Sequence, residues 1–328
     1  DATRVTLSCS PNCSQASSAG KSGDLSISDY INASHVDMRI PSPCGTVNRY
    51  IAAQGPLPNT CSDFWQMCWE QSVSLVVMLT VSNERGRTKC HEYWPPLYET
   101  VDHCNGLSVT CVSEQVPKLF GNAENSDNDD VADADRECGF AQREFMISKT
   151  ADAEAAGEGS EVQQRQLAQH FTLQKFINAA NRPAPTRSQV THLQYADWPD
   201  HGTPSNLDEF LNFVSRVRAH RAGHLAPVVV HCSAGIGRTG VLIAMETAVC
   251  LIEAGLPVKP LCLLRRMRNQ RPMLIQTAGQ YRFVCEAILR YWQQSGRGVS
   301  LADHQLETAA QSDEADANSE NNNSASAC

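Results

Sequence analysis

Val228-Val229-Val230-His231-Cys232-Ser233-Ala234-Gly235-Ile236-Gly237-Arg238-Thr239-Gly240 is the stretch that decides the fold. It reads as three parts in a row. Pro227 and the β-branched run at 228–230 make a short apolar strand of the kind buried on both faces of a sheet. Residues 232–237 are small and glycine-rich, so the backbone can curl tightly and turn its N–H groups inward. From Arg238 the pattern becomes helical, with Val241, Leu242, Met245, Ala248, Val249 and Ile252 at three- and four-residue spacing. Gly255 supplies a helix stop, and Pro257 follows it.

Strand, loop of inward amides and helix N-terminus together make an anion cradle. No lysine precedes the hydroxyl residue, so the Gly-Lys-Ser/Thr of a nucleotide-binding loop is absent. Instead the loop opens on Cys232 and closes on Arg238. A thiol facing N–H dipoles and a helix N-terminus ionises readily. The planar arginine fork suits two-point contact with a tetrahedral oxyanion. A thiolate in a phosphate cradle implies phosphoryl transfer to sulfur. The alternative is a structural cysteine in an ordinary strand-to-helix turn.

Outward from the cradle, composition sets bounds. The chain has 328 residues, 41% hydrophobic and 19% charged, enough for a real core. Its net charge is −9, but residues 121–161 hold twelve acids against three bases, and 297–328 six against one. The remainder is net positive, which suits an anionic substrate. None of the 14 cysteines sits in a C-x-x-C pair or at zinc spacing, so no metal and no cofactor is expected. A nucleophilic cysteine must stay reduced, which favours the cytosol. No signal peptide opens the chain. Residues 239–258 are apolar enough to suggest a membrane span, but Glu246, Glu253 and Gly255 interrupt them, and a buried helix fits better.

Taken in order, the chain predicts strands at 3–7, 29–34, 47–53 and 74–81, with an aromatic helix (Phe64, Trp65, Trp69) between the last two. Residues 89–95 read as another strand, ending at Pro95. Antiparallel strands follow at 107–112 and 140–147, then one at 189–195. Ser205 and Asp208 form a capping signature for a helix carrying Phe210, Phe213, Val214 and Val217. Residues 265–271 are a basic helix end. Thr277 and Gln280 make a second capping box ahead of Tyr281, Val284, Ile288 and Leu289. Flexible inserts are expected near 9–23, 113–137 and 151–187, with a helical piece of unassigned role at 162–177 and a disordered acidic tail at 297–328.

The run at 231–240 resembles the signature loop of the tyrosine-specific protein phosphatases. Other motifs of that family stand in order at 29–34, 50–59, 84–95, 198–204 and 276–281. Residues 84–91, 192–195 and 283–289 are most similar to cytosolic members that also carry FERM and PDZ domains. The resemblance implies a single α/β catalytic domain over 1–296, a twisted mixed β-sheet with helices on both faces. It also implies a role for each matching residue. Cys232 would be the nucleophile. Ser233, Ala234, Gly235, Ile236 and Gly237 would offer amides to the phosphate, and Arg238 its guanidinium. Thr239 would hydrogen-bond the sulfur. Asp200, in the Trp198-Pro199-Asp200 loop, would be general acid and then base; alone it reads as a turn aspartate. Gln276 would place the water, helped by Gln280, which equally reads as a cap. Glu84 would brace Arg238, and Lys89 would meet the closed Asp200 loop; both also read as solvated surface charges. His231 would tune the thiolate, or be a satisfied core histidine.

The expected partners are phosphotyrosine-containing proteins, with no nucleic acid and no transmembrane segment. Peripheral membrane or cytoskeletal association would come through domains outside this sequence. The family's catalytic domains begin well before Asp1, so the loop whose tyrosine sandwiches the substrate ring is expected to be missing. Asp197 beside Trp198 also departs from the family and puts a like charge near Asp200. Two alternatives follow: a catalytically impaired phosphotyrosine-binding module, and a broader phosphatase for Ser/Thr or lipid phosphates.

Overall fold

The structure, a computed structural model, describes residues 2–8, 29–41, 45–84, 86–103, 106–117, 140–149, 186–199 and 202–296. The expected insert at 9–23, most of those at 113–137 and 151–187, the helical piece at 162–177 and the acidic tail lie outside them. In chain order the strands are β1 (Arg4–Thr6), β2 (Tyr30–Arg39), β3 (Val47–Ala53), β4 (Leu75–Met78), β5 (Asn83–Glu84), β6 (Arg87–Thr88), β7 (Thr100–His103), β8 (Leu107–Gln115), β9 (Phe140–Lys149), β10 (Thr186–Tyr195) and β11 (Val228–His231). The helices are α1 (Cys61–Glu70), α2 (Leu207–Arg221), α3 (Gly237–Glu253), α4 (Pro260–Arg268) and α5 (Ala278–Gln294).

Nine strands form one sheet in the order β1-β2-β3-β11-β4-β10-β9-β8-β7. The middle four run parallel to one another. The outer strands pair antiparallel. Parallel neighbours need crossovers, and α1 and α2 supply them. Alternate residues of a strand face opposite sides. Val76, Met78 and Val229 accordingly pack under α1 with Phe64, Trp65 and Met67. Val77, Val228 and Val230 face the other way, into a core shared by α2, α3, α4 and α5. The sheet is thus covered on both faces, as the valine run requires, and the expected α/β architecture holds.

Helix α3 is buried almost all round. Glu246, which interrupts its apolar run, is inside but paired. Tyr50 Oη donates to its Oε2 at 2.9 Å, and Arg221 Nη1 lies 2.8 Å from its Oε1. The charge therefore ties α3 to β3 and α2 rather than facing water. Among the described residues, no helix is long and apolar enough to cross a membrane.

Several sequence expectations need correction. Residues 89–95 do not form a strand. Their backbone groups are used singly: Lys89 and Cys90 N–H both donate to Ser82 O, His91 N–H donates to Pro56 O, and Tyr93 O accepts from Trp65 Nε1. The strands nearby are instead the short hairpin of β5 and β6. The cap of α2 is Asn206, whose side chain accepts from Asp208 and Glu209 N–H; Asp208 pairs with Arg290 instead. The capping box of Thr277 and Gln280 is present. β8 runs on to Gln115 and β10 starts at Thr186, so both inserts are shorter than expected at those ends.

Phe213 is fully buried, with ring contacts to Tyr195 at 5.0 Å and Phe140 at 5.5 Å. Phe213→Ala is expected to lower stability by about 3–5 kcal/mol in urea unfolding. A loss under about 1 kcal/mol would mean this core repacks freely.

Candidate active site

Ala53, His231, Met78 and Gln194 stand level in register across the four parallel strands. The chain leaves all four strands at this one edge. Cys232 and the loop to Gly237 lie at its centre.

For the N–H groups of such a loop to face inward, its carbonyls must turn outward into protein, and each then needs a donor. All five find one. The Cys232 carbonyl lies 3.2 Å from His231 Nδ1. Ser233 O accepts from Gly55 N–H at 3.0 Å, and Ile236 O from Ile275 N–H at 2.9 Å. Arg271 serves the two between, donating from Nε to Gly235 O at 2.9 Å and from Nη2 to Ala234 O at 3.3 Å. Arg271 is buried and is itself fixed by Ser34 Oγ and Asn32 Oδ1. Burial lowers its pKa, and the nearby Cys232 opposes that shift. Two glycines let these approaches happen. A Cβ on Gly235, whose φ is +69°, would fall 2.0 Å from Ala53 O. One on Gly55 would fall 2.5 Å from Cys232 O.

Cys232 is 4% exposed, and Thr239 Oγ1 donates to its Sγ at 3.4 Å. No side chain caps the N-terminus of α3 at Ile236, whereas Asn206 caps α2 and Thr277 caps α5. α1 and α4 also lack a side-chain cap, so what singles out α3 is the Cys232 thiol at the mouth of its first turn.

Arg238 projects from that first turn. Its Nη1 donates to Leu79 O at 3.2 Å and Thr80 Oγ1 at 3.1 Å; its Nη2 donates to Pro199 O at 3.4 Å. Glu84 Oε2 stands 3.6 Å from Nη2, an ion pair too long for a good hydrogen bond. Lys89 Nζ is 4.0 Å from the same oxygen. Trp198 is buried among Tyr195, Phe210 and Phe283 and donates from Nε1 to Gly202 O at 3.0 Å. Asp200 itself lies outside the described residues, and Asp197 is exposed.

Gln276 is exposed at the cradle's flank, and its N–H donates to Gln280 Oε1 at 2.9 Å. Gln280 is buried and serves the cap through Oε1, while its Nε2 lies against Gly237, 2.9 Å from where a Cβ would sit there. The capping reading of Gln280 is seen directly. Sequence reasoning missed Arg271 and Gly55. Arg271 read only as the end of a basic run, and nothing local links it to residues 234–235.

A family profile described as "Protein-tyrosine phosphatase" matches residues 1–138 and 140–290. Tyrosine-protein phosphatase non-receptor type 4 of Homo sapiens is 47% identical over 267 residues, 81% of this chain and 23% of the relative. That of Mus musculus is 45% identical over 266 residues, with 81% and 23% covered. Tyrosine-protein phosphatase 1 of Caenorhabditis elegans is 43% identical over 290 residues, 88% of this chain and 22% of the relative. The chain spans less than a quarter of the length of these relatives.

Burial pushes His231 down to about 4, against the opposing bond to Cys232 O, and pushes His192 well below its ordinary range. Both stay neutral when folded, while the unfolded chain takes up protons near pH 6.5. Their contribution to stability is thus complete above about pH 6.5 and falls as the pH drops toward 4. The expected slope is about 1.4 kcal/mol per pH unit for each histidine. Urea unfolding at pH 7, 6 and 5 measures it, and a flat profile would contradict the buried neutral state.

Proposed function

The chain belongs to the protein-tyrosine phosphatase family, and from that premise we propose that it hydrolyses phosphotyrosine on proteins in two steps through phosphocysteine. One observation carries the reading: Thr239 Oγ1 stands 3.4 Å from Cys232 Sγ at the mouth of a helix that no side chain caps. In the first step the Cys232 thiolate attacks phosphorus and the tyrosyl P–O bond breaks. Asp200 gives its proton to the leaving oxygen. The amides of residues 233–237 and the Arg238 fork hold the three equatorial oxygens, where charge is spread in the transition state. In the second step water, placed by Gln276 with Gln280, loses a proton to Asp200 and attacks phosphorus. The P–S bond breaks, and the thiolate leaves into the hydrogen bond from Thr239. Glu84 and Thr80 keep the Arg238 fork in its plane, Lys89 meets the closed Asp200 loop, and His231 tunes the sulfur.

In this reading residues 1–296 form the catalytic domain and the substrates are phosphotyrosine proteins of the cytosol. Association with the membrane–cytoskeleton interface would rest on segments outside this sequence. The rival reading, a binding module without turnover, gains nothing from the relatives, each of which is named as a phosphatase.

Cys232→Ser is expected to abolish turnover of a phosphotyrosine peptide, and activity at the wild-type level would refute the covalent step. Asp200→Ala should slow turnover by about 10²–10⁴-fold while the peptide stays bound. Equal loss of binding, read by calorimetry, would instead remove Asp200 from the chemistry. A chelator should leave the rate unchanged, because no step in this scheme uses a metal.

A further inference from the structure

Two buried histidines flank one tyrosine hydroxyl. Tyr93 Oη lies 2.7 Å from His231 Nε2 and 2.9 Å from His192 Nε2. Both imidazoles are fully buried. Aromatic rings wall the cluster: Phe64 stands 4.7 Å from the Tyr93 ring, Trp94 stands 5.1 Å from the His192 ring, and Phe145 is 5.8 Å from the latter. Tyr93 and His192 come from the motifs at 84–95 and 192–195, and the reaction scheme gives neither a task.

A hydroxyl has one proton, so this chain of contacts can run in only one direction. At the cradle end, His231 Nδ1 faces the Cys232 carbonyl oxygen at 3.2 Å. A carbonyl only accepts, so Nδ1 carries the proton. A neutral His231 then has a bare Nε2, which must accept from Tyr93 O–H. The Tyr93 oxygen, its proton spent, accepts from His192 Nε2–H. That leaves His192 with a bare Nδ1, and this is one of the few buried side-chain atoms without a hydrogen-bond partner among the described residues. The orphan is an acceptor and not a stranded N–H, which is the less costly arrangement. Burial keeps both imidazoles neutral, and the positive charge of Arg143, whose guanidinium lies over Trp94 at 4.8 Å, adds to that at His192. The other titratable groups acting on Tyr93 are the thiols of Cys90, Cys68 and Cys61, which burial keeps protonated.

We propose that Tyr93 and His192 are positioning residues for Cys232, the hydrogen-bond chain from His192 through Tyr93 and His231 fixing the plane of the Cys232–Ser233 peptide. That peptide carries the first cradle amide, so its plane sets how well the amide meets the sulfur and the phosphate. Each donor in the chain polarises the next, which strengthens the last bond. The proposal rests on the phosphatase reading of Cys232, but its test uses no phosphate ester.

The rate of Cys232 alkylation by iodoacetamide, read by mass spectrometry on the full chain, reports the thiolate directly. At pH 6, Tyr93→Phe and His192→Leu are expected to react roughly threefold more slowly than wild type, the scale of one lost hydrogen bond. At pH 9, above the ordinary thiol pKa of about 8.5, the rates should converge. His192→Gln, which restores an N–H donor, should recover most of the pH 6 rate. Equal rates at pH 6 in folded variants, or a deficit that persists at pH 9, would overturn the proposal. If the variants do not fold, nitrogen-15 NMR of the wild-type imidazoles decides. The proton is expected on Nε2 of His192 and on Nδ1 of His231, and either opposite tautomer overturns the chain. Normal alkylation behaviour with no turnover of a phosphotyrosine peptide would sink the proposed function and leave this inference standing.

Discussion

Everything at this site depends on five carbonyl oxygens that must point away from it. A loop can present consecutive amides to an anion only if the matching carbonyls are satisfied behind it. Here the donors come from distant parts of the chain: the turn after β3 through Gly55, the backbone of Ile275, the guanidinium of Arg271, and His231 next door. Arg271 matters most in this scheme, because one planar group meets two successive carbonyls and is itself held by Asn32 and Ser34 near the start of β2. The family motifs at 29–34 and 50–59 thereby acquire a common physical purpose. They hold the back of the cradle.

This also explains which parts were legible in the sequence. β11 and α3 were readable because their signals are local: a valine run, then apolar residues at helical spacing, then a glycine stop. The capping box of Thr277 and Gln280 was readable for the same reason. The segment at 89–95 misled because its Cys90, Tyr93 and Trp94 are as buried and apolar as strand residues, while its backbone partners are scattered single groups such as Ser82 O and Pro56 O. Arg271 and Gly55 carried no local signal of these contacts. Each acts on a loop that lies far from it in the chain, through contacts that only the tertiary fold creates.

Electrostatics divide in the same way. The global charge of −9 comes mainly from two acidic stretches and says little about the cradle. What governs the site is burial: neutral His231 and His192, a charged but fully engaged Arg271, and an Arg238 braced by Leu79, Thr80, Pro199 and Glu84. A fork held on one edge keeps its remaining N–H groups in a fixed plane, which is the preorganisation that charge stabilisation in a transition state requires.

The four parallel strands make this assembly possible. Their C-terminal ends face one edge, so four separate connections can each deliver one component: Gly55 after β3, Cys232 after β11, Thr80 and Glu84 after β4, and Trp198 and Pro199 after β10. The same geometry makes the site sensitive to register. His231 faces the α1 layer, against Phe64 and Tyr93, while Cys232 belongs to the core on the α3 side. Strand side chains alternate with period two. A slip of β11 by one residue would therefore exchange the two, putting the thiol under α1 and the imidazole in the cradle. The three valines do not oppose that slip, because either register puts valine on both faces; His231, held by Tyr93 Oη on the α1 side, and Cys232, held by Thr239 Oγ1 on the α3 side, do. The apolar run makes β11 a strand, and the two polar residues at its end fix which side of the sheet carries the nucleophile.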